Sequence, residues 1–238
     1  MSLIASNLQG VYRACAAAIA ARSTRYSEPV NIVAVSKTKP ADDIAAAFGA
    51  GQRVFGENYV QEGCEKIQTL RARGLSGIEW HLIGPLQTNK AKPTALNFDW
   101  VQSVDRLKIA EALSRHRIEA GLPRLNVLLQ VNVSRELTKS GVSVDAVLAM
   151  ADDISSLPGL QLRGLMSIVE NTPDENELRT QFRTLRALFD TLAERMPSID
   201  TLSMGMSGDF SIAIEEGATM VRIGSMIFGS RGAPASYG

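Results

Sequence analysis

Only two of the 238 residues are cysteines, Cys15 and Cys64; that is too few for a disulfide framework, and neither stands at a metal-ligand spacing. The two histidines have no cysteine or carboxylate cluster at ligand spacing either, so no metal is expected. Net charge is also missing: 25 basic residues balance 25 acidic ones, which argues against a nucleic-acid surface or a polybasic membrane patch. No apolar run approaches the ~18 residues a membrane span needs. The start, Met1-Ser2-Leu3-Ile4-Ala5, lacks a basic segment leading into an apolar core. A cytoplasmic location is the default expectation. No Pro/Gly/Ser-rich linker or charge block divides the chain, so residues 1–238 are read as one domain. A G-x-G-x-x-G after the first strand, the hallmark of an open doubly wound sheet, is absent too.

What is present is a regular alternation, with 45% hydrophobic residues available for a core. After an opening helix over about Leu3 to Thr24, strands are expected at Ile32 to Lys37, Val54 to Glu57, Trp80 to Gly84, Trp100 to Val104, Asn126 to Asn132, Leu162 to Ile168, Thr201 to Met206 and Met220 to Phe228. Helix-period stretches fill the gaps, near Ala41 to Gly49, Val60 to Arg73, Gln87 to Asn97, Arg106 to Ala120, Val144 to Leu157, Asp174 to Met196 and Phe210 to Glu216. Eight strands each followed by a helix predict an α/β fold, a single (β/α)8 TIM barrel with an extra N-terminal helix. In such barrels sites form where the strands' carboxyl ends meet the loops. Lys37, Asn58, His81, Ser207 and Gly224 all fall near such ends.

Lys37 ends the run Val33-Ala34-Val35-Ser36-Lys37, placing a primary amine at the mouth of a buried strand. Such an amine condenses with aldehydes; the plainer reading is a lysine snorkelling out of a strand end. Near the other end of the chain, Ser207-Gly208-Asp209 opens a helical stretch and Gly224-Ser225 exposes backbone amides, donors suited to a phosphate, although glycine after a strand is also ordinary turn chemistry. Arg222 alternates with Val221 and Ile223, so its side chain is expected to face the barrel mouth. Amine, phosphate donors and an arginine together suggest pyridoxal phosphate. An arginine level with the pyridine nitrogen would disfavour its protonation and make the ring a weaker electron sink.

The motifs VAVSKTKP, FGENYVQE, WHLIGPLQTNK, LTKSGV, RGLMSI, LSMGMSGDF and MVRIGSMIFG, in this order, resemble the pyridoxal phosphate homeostasis protein family, from about Val30 to Gly229. The chain is also similar to the N-terminal barrel of bacterial alanine racemases, where an Arg-x-Gly segment and an upstream serine hold ring nitrogen and phosphate. Arg222-Ile223-Gly224 and Ser207 match that arrangement. The resemblance implies a fold type III pyridoxal phosphate protein without the C-terminal β-domain. It implies that Lys37 forms the internal aldimine, that Ser207, Gly224 and Ser225 hold the phosphate, and that Arg222 faces the ring nitrogen. Asn58 would lie near the ring or its 3-hydroxyl, and Met204 would help to form the pocket. Lys39 and Lys139 match further family lysines near the site. Gly208, where a polar residue is expected, and Pro93, which is expected to shorten its helix start, depart from the pattern.

Read from the residues alone, Lys39 is a loop charge beside Pro40, His81 a hydrogen-bonded structural group, Asn58 a helix cap, Lys139 a turn residue, and Met204 and Met206 packing. Glu57 and Asp209 show no spacing that would pair them as acid and base. Related racemases continue into a β-domain that supplies a catalytic tyrosine, whereas Tyr237 here lies in a short tail. The expectation is therefore a non-catalytic protein that holds pyridoxal phosphate as a Schiff base, serves vitamin B6 homeostasis and leaves the cofactor available to apo-enzymes. A monomer or weak dimer is expected. A low-activity amino-acid racemase using Lys37 as base is the alternative, and a phosphate-binding barrel enzyme without a Schiff base is a third reading.

Overall fold

Short apolar runs rich in β-branched residues become strands, and amphipathic stretches become helices, in the computed structural model, which describes residues 2–134, 140–170 and 172–229. The strands are β1 (Asn31–Val35), β2 (Val54–Glu57), β3 (Glu79–Leu82), β4 (Trp100–Val104), β5 (Leu125–Asn132), β6 (Val142–Ser143), β7 (Leu160–Met166), β8 (Thr201–Met206) and β9 (Met220–Ile223). All pairings are parallel, and the order β1-β2-β3-β4-β5-β7-β8-β9 returns to β1, closing an eight-stranded barrel. Around it run α1 (Leu3–Ala21), α2 (Ala41–Gly49), α3 (Val60–Ala72), α4 (Ala91–Asn97), α5 (Leu107–Glu119), α6 (Val147–Ser155), α7 (Glu175–Arg195), α8 (Phe210–Glu215) and α9 (Ser225–Phe228). The expected (β/α)8 barrel with an extra helix at its start is thus the observed fold. Among the described residues, no helix is long and apolar enough to cross a membrane.

Ser2 starts α1, its hydroxyl accepting a 3.2 Å hydrogen bond from the Ala5 amide. Leu8, Val11, Cys15 and Ala18 then recur at helical spacing and form its buried stripe. That stripe packs on α2, α8 and α9, outside the seam where β1 meets β9. Asn7 fastens it with a 3.0 Å bond to the Ile227 carbonyl. Burial pushes the Cys15 thiol up to about 11, so it stays a protonated packing group at neutral pH.

Two departures from the sequence reading matter. The stretch expected as one strand from Met220 to Phe228 breaks at Gly224: β9 stops at Ile223, and Ser225–Phe228 turns into α9 as the Gly224 carbonyl accepts from the Ile227 and Phe228 amides. A short apolar run reads alike for a buried strand and a buried helical turn. Strand β6 was not expected; its two residues pair with Val131 and Asn132 beyond the end of the β5–β7 pairing.

Outward-facing strand residues such as Ala34, Phe55, Val101, Leu165 and Val221 pack with the helices in the main apolar core. The face of α7 adds Leu178, Phe182, Leu185, Phe189 and Leu192. Each such side chain, fully buried, contributes about 1.5–3 kcal/mol. Inside the barrel the filling is different. Trp100, Leu128 and Met166 form a small separate apolar cluster, while His81, Gln102, Ser203 and Arg222 are buried polar groups. Such groups cost stability unless they are hydrogen-bonded.

Candidate cofactor site

A cavity of about 480 Å³ opens at the strands' carboxyl ends, a size usual for small-molecule sites. Lys37 reaches it from the turn after β1. That turn is tied from several sides: the Ser36 amide donates to the Gly56 carbonyl at 2.9 Å, and the Lys39 amide to the Ser36 carbonyl at 3.0 Å. Lys66 on α3 donates to the Ser36 carbonyl at 2.7 Å, while the Thr38 amide donates to Glu62 at 2.6 Å. Lys66 also contacts Glu57 at 2.9 Å and Glu62 at 2.6 Å. The residues on both sides of Lys37 are therefore held by one ionic cluster. Thr38 has φ 63°, the only non-glycine positive φ among the described residues, a strain on the order of 1–3 kcal/mol. The turn tolerates it because these bonds over-determine its shape.

Glu57 is fully buried, and burial pushes its carboxyl above the usual range against the pull of Lys66 and Ser36. Its Oε1 accepts from the Ser36 hydroxyl at 2.6 Å. Asp209 is likewise pushed up by burial, and it accepts from the Met206 amide. The two carboxylates have separate structural partners and make no visible acid/base dyad.

Asn58 lies on the cavity wall just beyond β2. It does not cap α3, because Tyr59 is the cap residue and makes no side-chain cap bond. Its side-chain oxygen is buried without a hydrogen-bond partner among the described residues. A buried acceptor left unpaired costs about 1–3 kcal/mol, and a polar group in the cavity would relieve it.

The opposite rim comes from β8 and β9. Ser207 and Gly224 are joined by a 3.3 Å bond from the Gly224 amide to the serine hydroxyl oxygen, and both line the cavity together with Gly208 and Ser225. Hydroxyls and amides at the start of α9 give this rim the donors that a phosphate needs. An added Cβ at Gly208 would meet nothing within 4 Å, so the missing polar side chain leaves open space there.

Arg222 extends into the cavity from β9. Its guanidinium donates to Ser203 Oγ at 2.6 Å and to the Ser167 carbonyl at 2.8 Å. Burial lowers its pKa to about 10, opposed by Asp209, so at neutral pH it remains a cation.

Met204 does not reach the cavity; it sits fully buried in the helix-facing core. Its neighbour Ser203 points inward to Arg222, so Met204 alternates outward, and the register then shifts at Gly205, which has φ +94°. Ser203 stands opposite Met220, but Met206 stands opposite Arg222, so β8 carries one residue more than β9 over this stretch. An extra residue reverses the in-out alternation. Met206 is the wall residue instead.

Lys39 also lines the cavity, donating to the Phe228 carbonyl at 3.0 Å, so it is more than an exposed loop charge. His81 is fully buried between Glu79 and Gln102, the structural role expected of it. Pro93 sits in the first turn of α4, where its missing N–H is needed least. A 3-10 turn, Thr88–Lys90, precedes that helix. Lys139 and Tyr237 lie outside the described residues. Ile83 and Ile168, on the wall beyond β3 and β7, escaped sequence reading because an apolar residue at a strand end carries no chemical signal.

Three comparisons bear on this geometry. The pyridoxal phosphate homeostasis protein of Escherichia coli (strain K12) is 50% identical over 234 residues, covering 97% of this chain and 98% of that protein. The structure of PipY from Synechococcus elongatus PCC7942 with PLP bound superposes with a TM-score of 0.80 at 36% identity, covering 95% of this chain and 100% of that one. Alanine racemase from Clostridium difficile 630 shares the fold, with a TM-score of 0.73 at 16% identity over 96% of this chain and 58% of its own. The family model for the alanine racemase N-terminal domain matches residues 13–232. By that match, and by its likeness to the homeostasis proteins along nearly its whole length, the chain belongs to the alanine racemase N-terminal domain family.

Proposed function

We propose that this chain is a cytoplasmic pyridoxal phosphate binder that holds the cofactor on Lys37 and serves vitamin B6 homeostasis. The observation that carries the reading is a convergence. Lys37 from the β1 turn and Arg222, Ser207, Gly224 and Ser225 from the β8–β9 rim face one cavity, with the orphaned oxygen of Asn58 between. When bound, the cofactor supplies an aldehyde that condenses with a primary amine and releases water. Lys37 offers that amine. Ser207 and the amides of Gly224 and Ser225 would receive the phosphate, and Asn58 would meet a polar group of the ring. Relatives named for pyridoxal phosphate homeostasis, and a neighbour with PLP bound, support the same reading.

A holding role rather than catalysis is favoured by what faces Lys37, since an arginine level with the ring nitrogen is shared with the racemases that the chain resembles. A guanidinium at the ring nitrogen disfavours its protonation and weakens electron withdrawal. Racemisation by two bases would need a second base facing Lys37. Among the described residues on the cavity wall, the other amine is Lys39, which already donates to the Phe228 carbonyl. Release to apo-enzymes would then be the use of the bound cofactor.

The test is an absorbance spectrum of the purified chain mixed with pyridoxal phosphate, followed by borohydride reduction and peptide mapping. A band near ~420 nm, with the reduced adduct on Lys37, is expected. An adduct on another lysine overturns the assignment. Turnover of alanine enantiomers at about 1–10³ s⁻¹ would make the chain a racemase.

A further inference from the structure

A hydrogen-bonded relay crosses the barrel interior beneath the cavity. Arg222 Nη1 donates to Ser203 Oγ at 2.6 Å, and Ser203 donates to Gln102 Oε1 at 2.7 Å. Gln102 Nε2 lies 2.8 Å from His81 Nδ1, and His81 Nε2 lies 2.8 Å from Glu79 Oε1. Four strands contribute, β9, β8, β4 and β3. Ser203, Gln102 and His81 are wholly buried. Glu79, the first residue of β3, stands at the other mouth of the barrel with its side chain 45% exposed.

With the Gln102 oxygen on Ser203 and its nitrogen on His81, every link runs from Arg222, which only donates, towards the Glu79 carboxylate, which only accepts. Gln102 has no donor to spare, since its Nε2 also lies 3.1 Å from Met220 Sδ. His81 must therefore be neutral, with its proton on Nε2 and its Nδ1 accepting. Burial favours that neutral ring, and Trp100, stacked at 5.1 Å and 8°, fixes its plane. The charged groups around the relay are Asp99 and Arg163 at the Glu79 end and Asp209 at the Arg222 end. Apolar filling of the same volume would serve stability as well or better. The polar filling has a different use.

We propose that Glu79, His81 and Gln102 are positioning residues for Arg222. They turn the lone pair of the Ser203 hydroxyl towards the guanidinium and fix its plane in the cavity, with the relay ending on a carboxylate at the far mouth. The field at the ring nitrogen is thereby set in part from the opposite face of the barrel. This inference rests on the reading of the cavity as a pyridoxal phosphate site.

Two measurements decide it. In the cofactor-free chain, ¹⁵N NMR of the imidazoles at pH 7 should find His81 neutral and protonated at Nε2, and Glu79→Leu should shift that signal. In the loaded protein, Glu79→Leu and Gln102→Leu should each move the pH at which the bound cofactor changes its absorbance by about half a unit or more, and Glu79→Gln, which keeps an acceptor, should move it less. If Gln102→Leu does not fold, the half-exposed Glu79 variants carry the test. A ring protonated at Nδ1 overturns the relay, as does an absorbance profile left unchanged by Glu79→Leu. A parent chain that takes up no pyridoxal phosphate defeats the reading of the cavity, while the tautomer measurement still decides the relay.

Discussion

Lys66 donates a 2.7 Å hydrogen bond to the carbonyl of Ser36, the oxygen of the peptide unit that leads into Lys37. An ammonium on α3 thus grips the backbone of the proposed cofactor lysine from behind. Lys66→Met would leave the Glu57 carboxylate, fully buried, without its counter-ion. A loss of about 3–5 kcal/mol is expected in urea denaturation. Adding Glu57→Gln to that variant should restore much of the loss, because the carboxylate left without Lys66 is then only the partly exposed Glu62.

The backbone bonds of the turn are made by Ser36 and Thr38 on either side of Lys37. Lys37→Ala should therefore still fold while abolishing the borohydride-reducible adduct. Mass spectrometry after reduction and a thermal melt read the two quantities separately.

Ser207→Ala removes one hydroxyl from the rim that faces Gly224. Affinity for pyridoxal phosphate should fall by about 1–3 kcal/mol, the cost of a charge-assisted hydrogen bond, whereas affinity for pyridoxal should hardly change. Fluorescence titrations with the two ligands check the difference. Equal losses would remove Ser207 from the phosphate site.

Gly84 and Gly208 should respond in opposite ways to a side chain. A Cβ at Gly84 would lie 2.2 Å from the Asn58 carbonyl oxygen, so the cavity wall must shift, while at Gly208 it would meet nothing within 4 Å. Gly84→Ala should cost about 1–3 kcal/mol and weaken cofactor binding. Gly208→Asn should be near neutral in stability, which paired denaturation curves would show.

Stability should fall with acid in a window set first by His81. Burial holds its pKa below the ordinary 6.5, so the unfolded chain takes up a proton that the folded chain refuses. The contribution is complete above 6.5 and is lost as the pH drops from there through the depressed folded value. One such proton gives a slope of at most about 1.4 kcal/mol per pH unit. Glu79, held low chiefly by its bond to His81, adds a second loss below its ordinary 4.5. Denaturation midpoints measured across this range check the slope, and a flat profile would contradict the buried neutral ring.

Much of the frame is readable from residue pattern. The span Ala41–Gly49 is a helix within the bounds its apolar period suggests, and Val54–Glu57 and Trp100–Val104 are strands end for end. Lys37, Asn58, Ser207, Arg222, Gly224 and Ser225 do meet at one cavity. What escaped depends on information that local pattern does not hold. The bulge at Gly205 turns Met206 to the cavity through a register set by β9, a strand with its own partners. The Ser36–Glu57–Lys66 cluster and the Glu79–His81–Gln102 relay join different strands and helices, and only the curvature of the closed sheet brings them together. Lys39 looked like a loop charge because its acceptor, Phe228, lies 189 positions away.

The proposed anchors of the ligand hang on the two strands at the barrel's seam. Val33 of β1 pairs with Arg222 of β9, and Ala34 with Ile223. During synthesis the lysine emerges well before its counterpart on β9, and so distant a pairing closes late. Uptake of the vitamin would then report a closed ring, since a chain cut short before β9 would display the amine without the rim proposed to grip the phosphate.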